Sequence, residues 1–157
     1  MRTRSLLFDN HAHIPTLSTL EGLTAHDADR RIDHAPHTIA EIVAHLAFWQ
    51  EWFCGRCDGS ADPLPSSAAL GWPAPAPGSW DIVRARFAAG LERAAALDSG
   101  DTVRPISPPI EYPPLAAYTL RDAIEHIAAH NAHHLGQIVL LRQMLGVWPP
   151  RSGSYTW

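Results

Sequence analysis

The apolar positions of the chain recur at steps of three and four residues over four stretches, which predicts an all-α fold with four helices. These helices are predicted over residues 4–23, from residue 38 onward, over 79–97 and over 119–145, with Pro15 as a kink in the first. No alternating pattern typical of β-strands competes with this interpretation.

Three of the predicted helices begin at a residue whose side chain can accept a hydrogen bond from the helix N-terminus. Thr38 is followed three residues later by Glu41, and Thr119 by Asp122, which is the spacing of a capping box. Ser79 is a further N-cap candidate, through its hydroxyl. The three positions therefore predict where the second, third and fourth helices start.

Two segments between the predicted helices are rich in proline. Residues 58–78 contain five prolines and three glycines together with aromatic and aliphatic side chains, and residues 105–114 form a second such segment. This composition excludes a regular element, but it is too apolar for a free linker. We predict that 58–78 is an ordered loop packed over one end of the bundle.

Composition and charge narrow the class of protein. A chain of 157 residues with 46% apolar content fits one domain, residues 1–157, with a sizeable core. The net charge of −4 and the absence of Lys/Arg runs argue against a nucleic-acid partner. The N-terminus carries only a three-residue apolar run, so a signal peptide or membrane span is not expected. A cytoplasmic, soluble protein is the expectation.

The fourth predicted helix contains four histidines within nine residues, at positions 126, 130, 133 and 134. An HxxxH step on a helix turns the side chain by about 40°, so two imidazoles can face one metal ion. The buried face of this helix is defined by apolar residues at three-four spacing, and His134 lies on it. By the same geometry His130 lies about 40° from His134, His126 about 80° and His133 about 100°. The pair that faces the core is therefore His130 and His134, while His126 and His133 lie on the flank.

A catalytic zinc-like site usually takes three protein ligands and leaves a position for water, so a third ligand is required. His45 is the best candidate, because it lies on the inward stripe of the second helix between Ile42 and Trp49. The alternative is that each core-facing histidine is satisfied by a backbone carbonyl or a buried water. Three converging histidines favour the metal site: His45, His130 and His134.

Other polar residues are weaker candidates. His11 and His13 are two residues apart and point in different directions on a helix, so they do not form a pair. Glu41, one turn before His45, is a candidate to orient that imidazole, although capping already explains it. Gln137 lies about 60° from His134 and can line the site or tie it to a loop.

The two cysteines, Cys54 and Cys57, form a single CxxC. Such a pair is redox-active in a βα context and holds zinc when a second CxxC is present, and neither context occurs here. We therefore predict a structural or incidental role for both thiols.

These residues together resemble the DinB/YfiT-like superfamily. The resemblance rests on His45 in Ile-Val-Ala-His-Leu-Ala-Phe-Trp and on the HxxxH of His130 and His134 followed by Leu-Gly-Gln-Ile. It implies a four-helix bundle in down-up-up-down topology, often a homodimer, with a divalent metal held by one histidine of the second helix and two of the fourth. Those positions match His45, His130 and His134. Segment 147–157, rich in aromatic residues, is expected to pack on the bundle or on a second subunit.

The superfamily leaves several functions open. Its members include thiol-dependent S-transferases, a mycothiol-dependent isomerase, proteins described as metal-dependent hydrolases and proteins of unknown activity. The resemblance thus implies a metal-dependent enzyme acting on a small molecule, with zinc or nickel as the favoured ion and a low-molecular-weight thiol as an optional cofactor. The alternative is a non-catalytic metal-binding or stress-response protein. No spacing singles out a general base, for which Glu111 and Glu125 are the candidates.

Overall fold

The computed structural model of the protein describes residues 2–9 and 12–154. Its α-helices are α1 (Arg2–Phe8), α2 (Ala25–Asp29), α3 (Ile39–Cys57), α4 (Trp80–Ala96) and α5 (Leu120–Leu145). Over the described residues the backbone forms no β-strand, and one isolated antiparallel bridge joins Pro105 to Thr119. The predicted all-α class is confirmed.

Two predicted capping boxes are present. Glu41 N–H donates to the Thr38 hydroxyl at 3.2 Å, and Thr38 N–H donates to the Glu41 carboxylate at 2.8 Å. Thr119 and Asp122 make the same reciprocal pair at the start of α5. These bonds satisfy backbone donors that the first helical turn leaves free, so α3 and α5 begin at the predicted residues.

The first predicted helix, 4–23, is wrong in extent, because α1 ends at Phe8. Thr16 donates its hydroxyl to the Leu7 carbonyl at 2.7 Å and its N–H to the Phe8 carbonyl at 3.0 Å. The chain therefore turns back on α1, and the Thr16 bonds take the place of helical ones at its C-terminus. Pro15, which lacks an N–H and disfavours helix in the residue before it, cannot continue the helix through this segment.

The third predicted helix begins where expected, but its predicted cap is absent. Ser79 occupies the N-cap position of α4 and makes no side-chain cap. Its hydroxyl donates to the Ala76 carbonyl at 2.6 Å. The proline-rich loop thus takes the hydroxyl that the sequence pattern assigned to the helix.

The core lies among the three long helices. Helix α3 packs against both α4 and α5, while α1 packs on α4 and α5, and α2 on α3 and α4. The Gly90 backbone lets α4 approach α3, because a Cβ there would lie 2.2 Å from the Gln50 Oε1. Gln50 in turn donates to the Asn131 side chain at 3.3 Å. Helix α3 consequently lies between α4 and α5 and can present side chains to both.

The proline-rich loops are anchored to α3. Arg56 is buried and donates to the backbone carbonyls of Asp62, Pro108 and Pro109. Trp72 of the first loop also packs against the core. The loop at 58–78 is thus ordered and packed on the helices, as predicted.

Part of the C-terminal segment packs on the bundle. Val147 packs against the core, and the Arg142 guanidinium lies 5.4 Å from the Trp148 ring centroid. The aromatic residues at 155–157 lie outside the described residues. None of the described helices combines the length and apolarity that a bilayer crossing requires.

Candidate metal site

The structure brings together the three histidines that the sequence singled out. One ring nitrogen from each of His45, His130 and His134 lies within 4.8 Å of the others. His45 comes from α3, whereas His130 and His134 lie one turn apart on α5. Among the described residues these three form the cluster of potential metal ligands.

The backbone of the 58–78 loop orients His45. The His45 Nδ1 lies 2.6 Å from the Gly71 carbonyl oxygen. Because a carbonyl only accepts, Nδ1 must carry the proton. Burial lowers the pKa of His45 to about 4, so the ring is neutral near pH 7. The Nε2 atom therefore presents an unprotonated lone pair, and it faces the Nε2 of His130 at 3.1 Å.

The ring of Trp72 lies flat against the His45 ring. Trp72 stacks on His45 with 3.7 Å between ring centroids, and His37 stacks on the opposite side of Trp72 at 3.8 Å. Gly71 packs directly on the Trp49 ring. The loop therefore reaches the site only because position 71 has no side chain.

Gly71→Ala is expected to weaken metal binding roughly 10- to 100-fold, the usual effect of disturbing a residue that orients a metal ligand. A Cβ at position 71 would lie 2.9 Å from the rigid Trp49 ring, so the loop must shift and carry the carbonyl that holds His45 with it. Isothermal titration calorimetry with zinc measures the change. Gly136→Ala, where a Cβ meets nothing within 4 Å, is the matched control and should bind zinc like the parent. Equal zinc affinity of the Gly71 and Gly136 variants would contradict this role of the loop.

Gln137 orients the second ligand. The His134 Nδ1 donates to the Gln137 Oε1 at 2.7 Å, which leaves the Nε2 of His134 for the cluster. The Gln137 amide nitrogen lies 3.4 Å from the Nε2 of the exposed His133. The sequence left two roles open for Gln137, and the structure shows it at the site.

The three rings are ready to act as neutral ligands. Burial lowers the pKa of His130 to about 3 and also lowers that of His134. His45 and His134 are buried and His130 is half-buried, and each ring can offer one unprotonated nitrogen to a cation between them. Two nitrogens at about 2.05 Å from a tetrahedral zinc ion are about 3.3 Å apart, close to the 3.1 Å between His45 and His130. The residues present therefore fit a divalent ion.

Two grooves reach this cluster from different sides. The polar groove, about 470 Å³, is lined by Tyr118, Asp122, Glu125, His126, Ala129 and His130. The apolar groove, about 370 Å³, lies between segment 33–37 and α5. From α5 it is lined by His134, Gln137, Leu140, Leu141 and Met144, and Ile42 and Trp72 complete the lining. His130 thus borders one groove and His134 the other.

His126 borders the polar groove and lies outside the three-histidine cluster. Its Nδ1 lies 3.1 Å from the Tyr118 hydroxyl, and its ring packs on Phe53 with 4.6 Å between centroids. Burial lowers the pKa of His126.

Of the two predicted general-base candidates, Glu125 lines this groove and Glu111 is exposed elsewhere. Tyr118, the residue before the N-cap of α5, lines the same groove and had no motif in the sequence to mark it.

Two other candidates lie elsewhere. The Glu41 carboxylate is engaged by Thr38 and by Arg31 at 2.7 Å, while the Gly71 carbonyl takes the position at His45. The suggestion that Glu41 orients His45 is therefore wrong. His13 Nδ1 lies 2.6 Å from the Ile14 carbonyl, apart from the cluster, and His11 lies outside the described residues.

The cysteine pair is buried in the last turns of α3. Cys54 and Cys57 are free thiols with almost no exposed surface. Burial raises the pKa of Cys54 to about 12 and that of Cys57 to about 11, so neither forms a reactive thiolate near pH 7. Both side chains belong to the core cluster, which agrees with the predicted structural role.

Comparison with known proteins gives one result. A family model described as the DinB superfamily matches residues 15–138, a range that contains all three clustered histidines. No curated protein and no solved structure matched the chain.

Proposed function

The chain belongs to the DinB superfamily, and from this premise we propose that it is a metal-dependent enzyme that acts on a small molecule through His45, His130 and His134. The observation that carries the proposal is the convergence of three imidazoles from α3 and α5, two buried and one half-buried, whose pKa values are all lowered by burial. Zinc and nickel suit such a ligand set.

An open coordination position distinguishes a catalytic site from a structural one. Within the described part of the chain the cluster contains three ligands, one fewer than a closed tetrahedral site needs. His130 borders one groove and His134 the other, so a water molecule or a substrate that enters either groove reaches one of the candidate ligands. A divalent ion held by the three histidines would supply the Lewis acidity that makes a water or a thiol nucleophilic near neutral pH.

The residues around the ligands supply orientation and polar contacts. The Gly71 carbonyl and the Gln137 amide oxygen keep His45 and His134 in the tautomer that presents Nε2. On the other side, Glu125 and the Tyr118–His126 pair place polar groups along the groove that reaches His130. Side chains of these types can accept or return a proton during a reaction.

The reaction type has two forms in this proposal: hydrolysis by an activated water, or transfer of a small-molecule thiol to an electrophile. The down-up-up-down helix order and the homodimer that the superfamily implies are part of the same proposal.

The second candidate function is a metal-binding protein in which the ion only ties α3 to α5. The position of the ligands on these two helices supports that alternative.

An activity screen of the metal-reconstituted protein tests the proposal. Zinc- and nickel-loaded protein is assayed with ester and amide substrates, and separately with bacillithiol, mycothiol or glutathione plus an electrophile. We expect turnover that depends on the added metal and is lost in His134→Ala. Full metal occupancy with no turnover in any arm, together with a large rise in melting temperature on loading, would favour the structural alternative.

A further inference from the structure

The apolar groove ends at a metal-ligand candidate and has a hydrophobic floor. Ile42 and Leu141 are buried beneath it, and Leu140 and Met144 stand one turn apart on α5 at its rim, each with 57% of its surface exposed. The Trp72 ring and the His134 ring form the inner end. A molecule lying in this groove would place one end beside His134.

Polar side chains line the groove at its two ends and at His37, whose ring is stacked on Trp72 with its Nδ1 3.6 Å from the Glu41 carboxylate. At the inner end, His134 Nδ1 and the Gln137 Oε1 already satisfy each other at 2.7 Å. At the mouth, Asp33 and His34 are exposed to solvent. A charged group on the middle of a bound molecule would lose water without gaining a partner, which is strongly unfavourable. An uncharged hydrocarbon chain meets no such cost.

The wall opposite α5 is held in a defined conformation. His34 has a φ of 66°, in the left-handed region that side chains other than glycine rarely adopt. Three residues later, His37 stacks on Trp72 at 3.8 Å, and its Nδ1 lies 3.6 Å from the Glu41 carboxylate. The wall is therefore tied to the same Trp72 ring that packs on His45.

We propose that the apolar groove binds the uncharged hydrocarbon part of the substrate, with the polar reacting group of that substrate at the three-histidine cluster. The substrate class is thus a small molecule with one polar head and an aliphatic or aromatic tail that carries no charge. This inference rests on the proposed function, because it requires a metal at His45, His130 and His134. The apolar groove would then be the part of the site that selects among substrates.

The test uses cobalt(II)-loaded protein and two metal-binding probes, acetohydroxamate and hexanohydroxamate. Their dissociation constants are read from the visible absorption of cobalt. We expect affinity to rise roughly threefold to fourfold for each added methylene that enters the groove. A six-carbon hydroxamate that ends in a carboxylate should lose this gain, because its charge would be desolvated or held near Asp33.

Exposed positions on the rim allow variants that keep the fold. Leu140→Lys and Met144→Lys should weaken hexanohydroxamate binding at least tenfold and leave cobalt and acetohydroxamate affinities unchanged. Ile82→Lys, at an exposed site on α4, is the matched control and should leave both probes unaffected.

The outcomes separate this inference from the proposed function. Absence of cobalt binding, or of any spectral response to acetohydroxamate, overturns both. Tight acetohydroxamate binding with no dependence on chain length overturns the inference alone. A chain-length effect that persists unchanged in the Leu140 and Met144 variants would place the hydrocarbon elsewhere and also overturn it.

Discussion

Replacing His134 with alanine is expected to abolish stoichiometric metal binding. His134 supplies one of three clustered nitrogens, and the two that remain rarely hold a divalent ion. Disturbing a residue that only orients a ligand already costs roughly 10- to 100-fold in affinity, so loss of the ligand itself should cost more than about 100-fold. Zinc content after equilibrium dialysis, measured by mass spectrometry, gives the result directly.

The adjacent His133 provides the control for this variant. It is exposed and lies outside the cluster, and its contacts there are an edge-on approach to the His134 ring at 4.9 Å between centroids and a 3.4 Å contact with the Gln137 amide nitrogen. His133→Ala removes an imidazole from the same turn of α5 and should bind zinc within a few-fold of the parent. Full zinc content in His134→Ala would disprove the site, and so would equal losses in the two variants.

Arg142→Met is expected to lower the free energy of unfolding by about 3 kcal/mol. The Arg142 side chain is only 2% exposed, and it donates to the carbonyls of Thr19, Glu21 and Val147. Methionine fills much of the same space but donates nothing, so these carbonyls lose their partner where water has poor access. Each buried polar group left in this way costs about 1–3 kcal/mol.

Urea unfolding followed by circular dichroism measures this loss. Arg84→Met is the control, because Arg84 is an exposed arginine whose partner, Asp81, is also exposed. Its substitution should change stability by less than about 0.5 kcal/mol. Similar midpoints for the two variants would show that the bonds of Arg142 do not stabilise the segment at 19–21 against α5.

The helix starts were predictable because they depend on neighbours in the chain. The Thr38–Glu41 and Thr119–Asp122 pairs act over three residues, so their capping boxes can be recognised without the fold. Ser79 shows the limit of such reasoning. Its hydroxyl donates to the loop carbonyl of Ala76 and accepts no hydrogen bond from the N-terminus of α4. The first predicted helix failed for a related reason, because Thr16 folds back on α1 through contacts that no periodicity encodes.

In the candidate site, too, some features were predictable from the sequence and others were not. Helical angle alone selected His130 and His134 from four histidines, and both lie in the cluster. It also assigned His126 and His133 to the flank, where the structure has them. The identity of the bound ion and the reaction stay predictions, since neither follows from which residues converge.

The sequence by itself therefore determined the helical class, the helix starts marked by capping boxes and the faces on which the histidines lie, because these depend on separations of three and four residues. Only the tertiary structure decided what surrounds each imidazole. The carbonyl of Gly71 and the ring of Trp72 reach His45 from 26 and 27 positions along the chain, and their approach depends on how an irregular loop packs on α3. A loop of this kind has no repeating geometry from which its contacts can be calculated, so the tautomer of His45 and the grooves beside the cluster appear only once the chain is folded.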